Sequence, residues 1–122
     1  MEKEHYTLYD IAVQLMSNAK NPSKGRPVMN NTRLYVNLDG TYTMKLHDNP
    51  IITYTPNSIT LRTCGWKTVT TKARMNGWSP KGLKVVQIDG TWWVQIGDEE
   101  YELHDEFTIS YELIRHLNEV KE

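Results

Sequence analysis

The stretch "RLYVNLDGTYTMKLHD", residues 33–48, decides the fold. Apolar and polar residues alternate on both sides of Asp39-Gly40, a dipeptide that supplies the positive φ angles of a two-residue hairpin turn. Leu34, Val36, Leu38, Tyr42, Met44 and Leu46 are expected to share the buried face. Fifty residues on, "VQIDGTWWVQIGD" (86–98) repeats the spacing of "VNLDGTYTMKLHD" (36–48), the Asp-Gly-Thr turn and the final Asp. Two copies do not make a solenoid; they read as two similar hairpins in an antiparallel arrangement.

Working outward, "IITYT" (51–55) and "ITLRT" (59–63) form a second pair around Pro56-Asn57-Ser58, where proline fixes φ and asparagine tolerates a turn. "EEYEL" (99–103) adds a further strand. Residues 7–19 read as a helix capped by Thr7 with Asp10 reaching back, and Leu8, Ile11, Ala12, Leu15 and Ala19 on one face. Residues 20–27, with two prolines and a glycine, read as a loop. "FTISYELIRHLNEV" (107–120) reads as a closing helix with Ile109, Leu113, Ile114, Leu117 and Val120 on one side. The predicted class is α+β: one domain over residues 1–122, with a curved antiparallel sheet of about six strands and a helix at each end packed on it.

The chain has 122 residues, 39% of them hydrophobic and 24% charged, which places it among globular proteins. The opening "MEKEHYTLYD" has no apolar core of a secretory signal, and the single Cys64 excludes an internal disulfide and suits a reducing cytoplasm. The net charge of −1 conceals a segregation. From Asn49 to Ile88 there is no acid, while Arg62, Lys67, Lys72, Arg74, Lys81 and Lys84 give +6. From Asp98 to Glu122 nine acids stand against Arg115 and Lys121, a net of −7.

The most chemically suggestive segment is "CGWKTVTTKARMNGW" (64–78). "TVTT" reads as a strand end, after which Thr70 or Thr71 caps a short helix, "KARMN", that stops at Gly77. Free N–H groups at a helix start, threonine hydroxyls and nearby cations are ingredients of a phosphate site. Arg62, Trp66, Lys67, Thr70, Thr71, Lys72, Arg74, Trp78 and Lys84 are the expected ligand-binding set, the two indoles stacking a base. The alternative for both tryptophans is a place in the core.

The run from Asn31 to Asn76 resembles a recurrent family of small bacteriophage proteins. The resemblance rests on Asn31-Thr32, on Leu46-His47 and on Gly65-Trp66-Lys67-Thr68-Val69-Thr70-Thr71-Lys72-Ala73-Arg74-Met75-Asn76, a Gly-Trp-x-Thr-x-Thr-Thr-Lys-x-Arg-x-Asn pattern. Cys64 stands where many members carry a second glycine. The resemblance implies a phage origin and action in the cytoplasm of the bacterial host, and no particular activity.

Enzyme signatures are wanting. His47-Asp48 and His104-Asp105 are adjacent pairs whose side chains diverge on a strand, and ligand spacings typical of zinc are missing. Cys64 lacks a motif partner, and Glu99-Glu100 has no opposed acid. No residue is assigned a catalytic or metal-binding role and no cofactor is expected. The leading expectation is a non-enzymatic phage accessory or counter-defence protein that binds nucleic acid or a nucleotide. A second is an inhibitor that meets a host protein through Glu99, Glu100, Glu102, Asp105 and Glu106, imitating a phosphate backbone. A third is a homo-oligomer in which basic middle meets acidic tail. No membrane partner is expected.

Overall fold

The two Asp-Gly turns adopt different geometries. We analysed a computed structural model that describes residues 8–17 and 24–119. At the second turn, Ile88 pairs with Thr91, and both Asp89 (φ 52°) and Gly90 (φ 83°) are left-handed, as a two-residue type I′ turn requires. At the first turn, Val36 pairs with Tyr42 and only Gly40 is left-handed (φ 86°). There the Gly40 N–H donates to the Asn37 carbonyl (3.0 Å) and the Asn37 N–H to the Thr41 carbonyl (2.8 Å), a three-residue loop. The Asn37 amide bridges the mouth, donating to Thr41 Oγ1 and Thr43 Oγ1 at 2.8 Å each. Asp39 Oδ1 accepts from the Thr41 hydroxyl and N–H, which holds its carboxyl below the usual range. Two residues expected on the buried face are exposed: Leu38, carried into the longer loop, stands fully in solvent, and Val36, at the end of its strand, is 41% exposed. Leu34, Met44 and Leu46 are buried and Tyr42 is half-buried.

The chain runs α1 (Leu8–Ser17), β1 (Arg26–Met29), β2 (Thr32–Val36), β3 (Tyr42–Leu46), β4 (Asn49–Tyr54), β5 (Ser58–Arg62), α2 (Val69–Gly77), β6 (Leu83–Ile88), β7 (Thr91–Ile96), β8 (Glu99–Glu102), β9 (Glu106–Ser110) and α3 (Tyr111–Glu119). The class is α+β, with helices near both ends, and the strands form two antiparallel sheets. The main sheet has six strands in the order β1-β2-β3-β4-β5-β9, and the smaller has β6-β7-β8. The sequence repeat therefore marks two three-stranded meanders, β2-β3-β4 and β6-β7-β8. In each, a tight turn begins with a left-handed residue, His47 (φ 59°) or Gly97 (φ 60°), and continues with an Asp.

Three expectations are corrected. Arg26 and Pro27, expected in a loop, open edge strand β1, with Pro27 tolerated because an edge leaves one side unpaired. Residues 107–110 belong to β9, paired with β5 from Ser58↔Ser110 to Arg62↔Glu106, so the closing helix starts later, at Tyr111. The Ser110 hydroxyl accepts from the Leu113 N–H (3.1 Å) and caps it. In α1 the buried residues are Ala12 and Met16, whereas Ile11 is 38% exposed. Thr7, Ala19 and Val120 lie outside the described residues.

A bulge between β3 and β4 leaves Ile51 without a register partner, so the consecutive Ile51 and Ile52 are both buried. They join Leu34, Met44, Leu61, Met75, Trp92, Val94, Ile96 and Leu103 in one hydrophobic cluster. The opposite face of the main sheet carries a cross-strand row, Tyr35–Thr43–Thr53–Thr60–Thr108. Thr60 and Thr108 hydroxyls bond at 2.8 Å, and Lys45 Nζ sits 4.7 Å from the centre of the Tyr35 ring. The chain changes sheet within two residues: the Leu103 N–H donates to the Trp92 carbonyl, and the Asp105 carbonyl accepts from the Thr63 N–H.

Candidate ligand surface at the start of helix α2

Thr63 to Trp66 form a tight turn. Cys64 (φ 55°) and Gly65 (φ 78°) are both left-handed, and the Trp66 N–H donates to the Thr63 carbonyl at 2.8 Å. Gly65 meets this need without strain, while Cys64 adopts it at a cost. The Cys64 thiol lies 3.6 Å from the Pro50 carbonyl; burial pushes its pKa up, opposed by the Arg62 charge. That is the environment of an unreactive thiol. The turn delivers Trp66 to the surface, 61% exposed.

Thr68 caps α2. Its backbone is extended and its Oγ1 accepts from the Thr71 N–H at 3.1 Å. This corrects the expected cap at Thr70 or Thr71 and the expected strand end: Val69, Thr70 and Thr71 form the first helical turn. Thr71 is buried with its hydroxyl 3.0 Å from that of Thr68, whereas Thr70 is exposed. Thr68→Ala is therefore expected to destabilise the protein by about 1 kcal/mol, and Thr70→Ala by less than about 0.5, read from urea unfolding midpoints. The reverse order would place the cap elsewhere.

The nine expected ligand residues do not all converge. Trp66, Lys67, Thr70 and Lys72 lie within the turn and the first helical positions, with Lys67 and Thr70 exposed and Lys72 half-buried. The first turn of α2 carries no acid. Arg74 is occupied elsewhere: its Nε donates to the buried Thr32 Oγ1 (2.9 Å) and an NH2 group to the Asn30 carbonyl (3.3 Å). Arg62 donates to Glu106 (3.3 Å) and to Thr53 Oγ1 (3.0 Å) on the threonine face. Trp78 is half-buried and lines a small cavity with Ala12, Leu15, Leu34, Met44 and Tyr54, its carbonyl accepting from the Tyr54 hydroxyl at 2.6 Å. Burial drives the Tyr54 hydroxyl well above the ordinary tyrosine range. Lys84 lies opposite Gln95 in the small sheet.

The acids also divide. Glu99, Glu100 and Glu102 are exposed on the outer strand β8, with Glu100 accepting from Gln95 (2.9 Å) and Glu102 lying 3.4 Å from His104. Charge on an outer strand discourages edge-to-edge pairing. Asp105 and Glu106 sit at the sheet change, against Thr63 and Arg62. Among the described residues, no group of three or more His, Cys, Asp or Glu side chains is placed to hold a metal, and no helix is long and apolar enough to cross a membrane.

Sequence reasoning missed Asn76. Its amide donates to the Val85 carbonyl (2.9 Å) and its Oδ1 accepts from the Val85 N–H (2.7 Å), so one side chain does the work of a neighbouring strand on the outer edge of β6. The three segments behind the phage resemblance also meet in space. Thr32 pairs with Leu46, the left-handed Asn31 accepts at its carbonyl from the His47 N–H, and Arg74 reaches Thr32. Gly65, Thr68, Thr71, Arg74 and Asn76 therefore each have a structural duty, whereas Trp66 is left mostly in solvent.

The fold is that of a small α+β protein with two antiparallel sheets. The chain belongs to the Kyanoviridae Gp96 protein family, whose model matches residues 9–113. Neither the comparison with curated proteins nor that with solved structures gives a match.

Proposed function

We propose that this phage accessory protein acts in the host cytoplasm by binding and not by catalysis, and that its ligand carries phosphate: nucleic acid or a nucleotide, in the latter case as a counter-defence activity. The ligand-binding set is Trp66, Lys67, Thr70 and Lys72. One observation carries the reading: a 61%-exposed indole is held on a hydrogen-bonded turn beside a helix start that has lysines and no acid. Burying so large an aromatic surface is a strong incentive to bind, and a helix start with no acid in its first turn favours an anion. Lys72 supports this because helical side chains lean toward the N-terminus, which brings its ammonium back over the first turn.

The test is a titration of fluorescent oligonucleotides at low and moderate salt, together with a thermal-shift panel of nucleotides. Binding that weakens with salt, or a raised melting temperature, is the expected result. Silence in both assays would end the reading.

A further inference from the structure

We infer that the ligand is single-stranded nucleic acid, held through one stacked base on Trp66 and about two phosphates, and not a duplex; this rests on the reading above. Four cations near the turn look available in the sequence, but the geometry removes two. Arg62 is committed to Glu106 and Thr53, and Arg74 to Thr32 and Asn30. Of those four, Lys67 and Lys72 are left to meet phosphate. The turn is rooted at the sheet change, where the Asp105 carbonyl accepts from the Thr63 N–H. Duplex binding draws on many phosphate contacts, which two lysines do not supply.

The indole makes the same distinction. Bases within a duplex present their faces to one another, so an aromatic side chain can stack only on a base that is already unstacked. Trp66 stands on the turn, mostly in solvent, and Val69, the first residue of α2, is 79% exposed. A free nucleotide is held best in a concave pocket that buries most of its surface. A ring standing out from a turn offers one face, which suits a residue of a longer strand anchored on both sides.

The experiment is fluorescence anisotropy of a labelled oligothymidylate of about ten nucleotides, its duplex with oligoadenylate, and competition by thymidine monophosphate, across a salt series. The single strand is expected to bind at least about tenfold more tightly than the duplex, with a log–log salt slope near −1.4, about 0.7 for each of two phosphates. Trp66→Ala is expected to weaken it by about five- to a hundredfold, a stacking loss, with an unchanged melting temperature because the ring is mostly in solvent. Equal or tighter duplex binding, a slope steeper than about −3, effective competition by the mononucleotide, or an unaffected Trp66→Ala would each overturn the inference while leaving a phosphate ligand in place. Binding to none of the three probes would overturn both.

Discussion

Gly97→Ala is expected to cost about 3 kcal/mol or more, seen as a lower urea midpoint and a loosened C-terminal helix. Gly97 opens the turn between β7 and β8 with φ of 60°, a conformation that costs other residues about 1–2 kcal/mol. That strain alone is bearable: His47 holds the matching position of the other meander at φ 59°. The difference lies in what surrounds it. His47 is exposed, whereas a Cβ on Gly97 would collide with the Leu117 carbonyl oxygen of α3, and a backbone atom cannot swing aside. Either the turn opens or α3 lifts, and Ile114, 2% exposed, is uncovered with it. Alanine tolerated at Gly97 within about 1 kcal/mol would mean that α3 does not rest on this turn.

Asn76→Leu is expected to cost about 2–4 kcal/mol, because it strips the partners from a buried backbone N–H and a buried carbonyl at once. Val85 is 1% exposed, and its N–H and carbonyl face the Asn76 amide across the outer edge of β6. Each group left unsatisfied costs about 1–3 kcal/mol. Asn76→Asp keeps the acceptor for the Val85 N–H but sets a carboxylate against the Val85 carbonyl, so it should fall no closer to the wild type than Asn76→Ala. Thermal unfolding of the three variants gives the ranking. An Asn76→Asp protein as stable as the wild type would refute the paired amide.

Both substitutions bear on features that local pattern reading does not reach. Alternation located most strands well, since Leu34, Met44, Trp92, Val94 and Ile96 lie on the buried face that a period of two predicts. Turn length escaped it. Asp-Gly-Thr serves a two-residue turn after Ile88 and a three-residue loop after Asn37, and the Asn37 amide across the mouth distinguishes them. The start of the closing helix was misplaced because Phe107 and Ile109 alternate as a strand while Ile109 also fits the helical row of Leu113 and Leu117. Only pairing with distant β5 resolves the ambiguity.

The division into two sheets is likewise a long-range outcome. At the candidate site, Trp66 and Trp78 look equivalent in the sequence, yet one is placed by a left-handed Cys-Gly turn at the surface and the other lines a small cavity with residues of α1 and Tyr54. Arg74 reads as a free cation until Thr32, forty-two residues away, claims it.

The pairing of Arg62 with Glu106 also has a topological consequence. Everything between those two residues, including α2, the small sheet and the Trp66 turn, leaves and re-enters the main sheet at one seam. Lengthening a loop whose ends are already pinned side by side adds little entropy cost. The six-stranded sheet is in this sense a chassis, and the excursion rooted at Thr63 and Asp105 is where new recognition surface can be gained with the least disturbance to the strands beneath it.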